Sequence, residues 1–197
     1  QSSEGSPDFE AIDADNRFLW RMNRRRLEAE VVRDAVLAVS GQLDRSMYGP
    51  GFRTFVIEKP EHSPHYQYHK HDPNDPSTHR RAVYRFIVRS QPDPYFRTLD
   101  CADSSLSVPK RDETITALQA LALLNDRFMV AMARSFADRL ERSSGTPEGR
   151  IAIAWRLAFG REPSSDELQT LSEHARTFGL ESACRVIFNL NEFLFFD

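Results

Sequence analysis

The sequence lacks most of the motifs from which a function can be recognised directly. It has no run of about 18 apolar residues, which excludes a membrane span on hydropathy. It also has no phosphate-binding glycine loop, no nucleophile elbow and no His-Glu-x-x-His motif. The formal net charge is −3, with both signs mixed along the chain, which argues against nucleic acid as a partner. Of the 197 residues, 40% are hydrophobic, which is enough for a real core.

Cysteine is scarce as well. The two cysteines, Cys101 and Cys184, form neither a CxxC pair nor the CxxCH motif that attaches a c-type haem. Two interpretations stay open: two buried free thiols, or one disulfide that ties a loop to the last helix.

The most informative stretch is 111–140, where apolar residues recur at spacings of three, four or seven. This pattern is typical of an amphipathic helix that faces a core. Asn125 and Asp126 in its middle either kink the helix or cap a second piece. The predicted buried seam consists of Leu118, Leu121, Phe128, Met132, Phe136 and Leu140.

The remaining pattern predicts a mainly α fold, a helical bundle of about five to six helices with a small β-hairpin appendage. Residues 1–14 are expected to be an irregular lead-in, and 15–197 a single domain. Its first helix runs from Asp15 or Asn16 to about Val39. The hairpin covers about 52–70, and 79–90 is interpreted as a helix despite its β-branched and aromatic content. A C-terminal helical subdomain covers about 146–197, with a capping box at Ser164 and Glu167.

Five of the six histidines fall between His62 and His79. If 66–70 is a strand, two of these side chains point the same way at i,i+2, a spacing that metal ligands use. A metal site built from His69, His71 and His79 is therefore one hypothesis. Solvated loop histidines are the alternative.

A basic set is the second candidate site. On a helix, Arg81, Arg85 and Arg89 would line one face at i,i+4, and arginine forks suit carboxylate, sulfate or phosphate. Structural ion pairs with nearby acidic residues are the competing interpretation.

Several blocks carry a resemblance to a known family. Segments 16–51, 79–94, 99–105, 114–126 and 188–197 resemble the planctomycete-specific C-terminal domain of unknown function. This domain occurs in large exported planctomycete proteins, many of which also carry a cytochrome-c-like domain. The blocks follow the family's order from about residue 15 onward, and the family's domain is expected to begin upstream of Gln1.

The resemblance implies an extracytoplasmic location, in the periplasm or at the cell surface, and a multidomain parent linked to polysaccharide breakdown or electron transfer. It supplies no catalytic residues, and any haem would belong to another domain. The first functional hypothesis is a non-catalytic interaction module that contacts other domains of its parent, or an anionic glycan through Arg81, Arg85 and Arg89. The alternative is a metal-dependent enzyme, or part of one, that uses the cluster from His62 to His79.

Overall fold

The computed structural model of the protein describes residues 5–59 and 63–196. The helices of this part are α1 (Pro7–Ile12), α2 (Ala29–Ser40), α3 (Pro94–Thr98), α4 (Ala117–Asn125), α5 (Arg127–Ser143), α6 (Pro147–Phe159), α7 (Ser165–Phe178), α8 (Leu180–Asn189) and α9 (Asn191–Leu194). The strands are β1 (Arg25–Arg26), β2 (Val56–Glu58), β3 (His65–Gln67) and β4 (Phe195–Phe196), and three 3-10 helices cover Tyr68–Lys70, Pro76–Thr78 and Ala82–Tyr84. The prediction of a mainly α fold with a small hairpin is confirmed.

The core is centred on α5, which packs against α2, α6 and α8. Its inward face is completely buried at Met132, Phe136 and Leu140. The ring of Phe136 stacks on that of Phe188 in α8, with centroids 5.6 Å apart. Full burial of one such side chain contributes about 1.5–3 kcal/mol, so this helix pair stabilises the fold more than any surface contact.

The predicted seam is correct only in its second half. Leu118 and Leu121 are 64% and 55% exposed, so their assignment to the core was wrong. The reason is the break at Asp126, whose extended backbone (ψ 142°) ends α4 and starts α5 in a new direction. The face that α4 does bury includes a polar side chain, Gln119, which donates to Asp100 at 2.9 Å.

The first long helix was also predicted too long. It begins at Ala29 rather than at residue 15 or 16, and the stretch before it contains left-handed residues at Asn16 and Leu19. Local polar contacts hold this stretch open: the Asp13 carboxylate accepts from two backbone N–H groups, and Trp20 donates to the Asp13 carbonyl at 2.9 Å. Such side-chain bonds to the backbone compete with a helix. In addition, Pro7–Ile12 forms a short helix within the expected irregular lead-in.

Segment 79–90 is not the predicted helix. It holds one 3-10 turn and then runs beside Phe52, which donates to the Tyr84 carbonyl at 3.0 Å and accepts from Phe86 at 2.8 Å. The Asp34 carboxylate accepts from the Ala82 N–H. The β-branched and aromatic content of the segment prevails over its cap signal because these long-range partners satisfy its backbone.

The hairpin forms where it was predicted, with shorter strands. β2 and β3 pair antiparallel with Ile57 opposite Tyr66. The ring of Phe55 lies edge-on against Tyr66 and Tyr68, with centroids 5.1 and 5.5 Å away. These contacts give the two strands an apolar support that they would lack in isolation.

The C-terminal helices follow the sequence signals closely. Thr146 caps α6, Ser164 and Glu167 form the predicted capping box of α7, and Gly160 ends α6 at a left-handed φ of 72°. The last residues dock on the core, since Phe193 and Leu194 are buried and β4 pairs with β1. In the part of the chain that the structure describes, no helix combines the length and apolarity that a membrane crossing requires.

Candidate functional site

A cavity of about 250 Å³ lies where the loops after the hairpin meet the starts of α3 and α5. Loops and helix starts together place carboxylates, the two arginines Arg33 and Arg127, and aromatic rings around one space. Concave sites of this kind, apolar with a few fixed polar groups, are the ordinary form of small-ligand sites.

Two carboxylates in the wall cap helices. Asp93 caps α3 by accepting from the Tyr95 N–H at 3.0 Å, and its other oxygen accepts from the Thr54 hydroxyl at 3.0 Å. Asp126 caps α5 by accepting from the Phe128 N–H at 2.8 Å. Burial raises the pKa of each carboxyl above its ordinary value, although the cap bonds oppose this shift. Each of them retains free acceptor capacity beside the cavity.

A buried arginine forms another part of the wall. Arg33 on α2 is 3% exposed and donates to the backbone carbonyls of Thr78 and Arg80. Its guanidinium lies over the rings of Phe52 and Phe128, 4.9 and 5.5 Å from their centroids. Burial lowers the pKa of Arg33, but an arginine keeps its charge at any physiological pH. A fixed cation thus faces a space that two carboxylates also line.

Aromatic rings complete the cavity. The Tyr68 hydroxyl donates to the Gln91 carbonyl at 2.7 Å, and burial raises the pKa of Tyr68 to about 12. Tyr95 directs its hydroxyl to the Met129 sulfur at 3.5 Å, and its ring lies edge-on to Phe128. Because both hydroxyls already have partners, these residues offer the cavity mainly ring surface.

The predicted metal ligands lie in two different places. His69 and His71 line the cavity, and the backbone carbonyl of His69 accepts from Arg127. His71 lies 3.4 Å from the Thr78 hydroxyl, and burial lowers the pKa of its imidazole. His79 is buried elsewhere, with Nε2 2.9 Å from the Pro73 carbonyl, and His62 lies outside the described residues.

Among residues 5–59 and 63–196, no group of three or more His, Cys, Asp or Glu side chains has an arrangement that could hold a metal ion. The metal site of His69, His71 and His79 therefore stays a prediction from the sequence. Elemental analysis of protein purified without an affinity tag would test it.

The three predicted anion-binding arginines do not share a helix face, because the helix is absent. Arg81 is exposed at the start of a 3-10 turn. Arg85 and Arg89 line a second cavity of about 280 Å³, and the third arginine in that lining is Arg97 of α3. The structure thus brings two of the predicted residues together and adds one that the pattern did not indicate.

The cysteines are far from equivalent. Cys101 is half-buried, with its thiol 3.4 Å from Glu30, and burial raises its pKa to about 11. Cys184 is fully buried in α8. The structure contains both as free thiols with no bond between them, so the disulfide of Cys101 with Cys184 stays an expectation of the sequence.

The sequence did not indicate Arg33, Asp93 or Tyr95 as site residues. Asp126 carried a signal, since it was recognised as a cap candidate. Asp93 precedes Pro94, and an Asp before Pro at a helix start is a cap signal that could have been used. Nothing local marks Arg33, because its partners lie 45 and 47 positions away.

A comparison with family models gives one finding. The model described as "PSD1: Protein of unknown function (DUF1553)" matches residues 1–175. No curated protein and no solved structure matches the chain.

Proposed function

The chain belongs to the DUF1553 family of proteins of unknown function, and we propose that it is a carbohydrate-binding, non-catalytic module of an exported multidomain protein. In this proposal the 250 Å³ cavity holds one sugar ring of a glycan. The other domains of the parent protein carry any catalysis or electron transfer. The resemblance of the sequence blocks supports the extracytoplasmic location.

The observation that carries the proposal is the mixed lining of the cavity. A sugar ring has apolar C–H faces and a rim of hydroxyl groups that both donate and accept hydrogen bonds. The rings of Tyr68, Tyr95 and Phe128 suit the faces, and the carboxylates of Asp93 and Asp126 suit hydroxyl donors.

The polar groups are also held in place before a ligand arrives. Asp93 and Asp126 are fixed by cap bonds, and Arg33 by two backbone carbonyls. A preorganised site loses little conformational entropy on binding, which favours recognition of a weakly interacting neutral ligand.

The experiment is a binding screen of the protein against neutral oligosaccharides, followed by titration calorimetry on those that bind. The variants Asp93→Asn and Asp126→Asn test the cavity, because asparagine keeps a helix cap while it removes the charged acceptor. We expect each to weaken binding by about tenfold, since a hydrogen bond to a charged group contributes about 1.5–3 kcal/mol.

The matched control is Asp138→Asn, an exposed residue on α5 away from the cavity. It should bind like the unmodified protein. Absence of saccharide binding, or equal binding by all three variants, would contradict the proposal. Release of shorter products would contradict the non-catalytic part and would point to the two carboxyls as an acid–base pair.

A further inference from the structure

A second cavity of about 280 Å³ adjoins the first, and the linings of both include Asp93 and Phe96. The two spaces therefore lie on either side of the same wall at the start of α3. A chain-like ligand that crosses this wall would place neighbouring units in the two cavities.

The second cavity is rich in positive charge. Arg85, Arg89 and Arg97 line it, and in the described part of the chain no carboxylate oxygen lies within 4.0 Å of their side-chain nitrogens. This is a local excess of cations on a chain whose net charge is −3. The three arginines thus do not behave as the structural ion pairs that the sequence left as the alternative.

The acidic residues in this lining have other partners. Asp103 accepts from the backbone N–H and the hydroxyl of Ser105, and these bonds, followed by the field of Arg97 and Arg89, lower its pKa. Asp93 accepts from Thr54 and from the Tyr95 N–H at the start of α3, and burial raises its pKa although these bonds and the field of Arg85 oppose the shift. One exposed carboxylate and one buried carboxyl do not balance three guanidinium groups.

Arg85 lines the second cavity and stacks on Phe96, which belongs to the shared wall. Its guanidinium carbon lies 3.6 Å from the centroid of the Phe96 ring, and one terminal nitrogen is 3.9 Å from the Cys101 sulfur. Its buried Nε has no hydrogen-bond partner among the described residues. An arginine fixed by stacking, with an unsatisfied donor, is suited to a planar or tetrahedral oxyanion.

We infer that the second cavity is a subsite for an anionic group, a sulfate ester or a carboxylate, on the sugar next to the one bound in the first cavity. This inference rests on the proposed carbohydrate function and narrows its ligand to an acidic glycan. Arg85, Arg89 and Arg97 bind the oxyanion, and the wall of Asp93 and Phe96 separates it from the neutral ring. Arg81 has no part in this subsite.

The test uses three polymers with one backbone: dextran, dextran sulfate and carboxymethyl dextran. The double variant Arg89→Ala/Arg97→Ala removes two exposed cations and leaves the stacked Arg85 in place. At about 0.15 M salt, where unspecific surface attraction is screened, we expect a charged dextran to bind about tenfold more tightly than dextran. The double variant should lose this difference.

Arg81→Ala is the matched control, since it removes an exposed arginine from the same loop outside the cavity. It should bind all three polymers like the unmodified protein. Dextran sulfate and carboxymethyl dextran distinguish the sulfate source from the carboxylate source. Circular dichroism of each variant would check that it is folded.

Two results would overturn the subsite: unchanged binding of both charged dextrans by the double variant, or an equal loss in Arg81→Ala. Failure of the proposed function has a different signature. In that case no neutral saccharide binds at all, while binding of a charged dextran still depends on Arg89 and Arg97.

Discussion

The two halves of the molecule satisfy their backbone in different ways. From α4 onward most of the chain is helical, and its carbonyls accept from N–H groups four residues away. In the half that precedes α4 most regular elements are short, and arginine side chains donate to backbone carbonyls of the loops between them. Arg33 donates to the carbonyls of Thr78 and Arg80, and Arg80 donates to those of Ser46, Tyr48 and Pro50. A guanidinium has five donors and no acceptor, so one buried arginine can donate hydrogen bonds to the carbonyls of several loop segments.

This difference explains where the candidate site lies. Helical backbone has its polar groups occupied, whereas loops held by side chains can direct carboxylates and rings into a shared space. The first cavity is lined mainly by loops and by the first residues of α3 and α5, and the second mainly by loops and by α3. The contrast between the two halves is open to test by single substitutions.

The largest expected effect is in the helical half. Phe136→Ala should destabilise the protein by about 3–5 kcal/mol, because it removes a fully buried ring and its stacking on Phe188 and leaves a void. Urea unfolding gives the free energy. Leu121→Ala is the control, and a loss of more than about 0.5 kcal/mol there would contradict the exposed position of this face of α4.

The second effect tests the half held by arginines. Arg33→Met keeps most of the side-chain volume but leaves the Thr78 and Arg80 carbonyls without their donor. We expect a loss of about 3 kcal/mol, in the range for unpaired buried polar groups, and faster amide exchange in residues 78–82. Arg134→Met, which breaks only an exposed pair with Glu181, should cost less than about 1 kcal/mol. Equal effects of the two variants would remove the proposed role of Arg33.

The third prediction concerns the N-cap of α7. Ser164→Ala removes the hydroxyl that accepts from the Glu167 N–H at the start of α7. The expected loss is about 1 kcal/mol, as for other N-caps. Thermal unfolding measures it, with Ser165→Ala as the neighbour that lacks a cap bond. A larger loss in the neighbour than in Ser164→Ala would show that the cap does not stabilise this helix.

The smallest effect is electrostatic. Hydrogen bonds from Arg161 lower the pKa of Glu167 from its ordinary 4.5 to about 2. A carboxylate with a lowered folded-state pKa stabilises the protein fully above its ordinary pKa, and this contribution disappears as pH falls towards about 2. Glu167→Gln keeps the capping box but loses the charge.

The stability difference between Glu167→Gln and the unmodified protein should therefore be constant above about pH 5 and decline between pH 4.5 and 2. Because the pair is partly solvated, we expect less than about 1 kcal/mol. A difference that grows towards low pH would contradict the assigned sign.

The predictions from the sequence were more accurate in the helical half than in the half before α4. The caps at Thr146 and Ser164, the end of α6 at Gly160 and the hairpin were predictable, because each depends on residues within a few positions of one another. The prediction of a long first helix was wrong because the side chains of Asp13 and Asn16 hydrogen-bond to the backbone of residues 17–21 in place of helical partners. The prediction of a helix over 79–90 was wrong because the backbone of this segment bonds to Phe52, which lies more than thirty positions away.

The candidate site shows the same limit. Asp126 could be recognised as a cap, but its approach to Arg33 and Tyr95 depends on how α2 packs on α5. Among the predicted arginines, Arg85 and Arg89 lie together without the helix that was expected to align them, and Arg97 joins them from α3. Periodicity describes one element at a time, whereas these sites form between elements.

The short pairing of β1 with β4 determines how the protein would respond to tension. Arg25 lies opposite Phe196, and Arg26 opposite Phe195. A force that draws the two strands apart at right angles to their length therefore acts on one residue pair at a time. These two pairs and the bond from the Leu27 N–H to the Leu194 carbonyl would have to break before the two segments could separate.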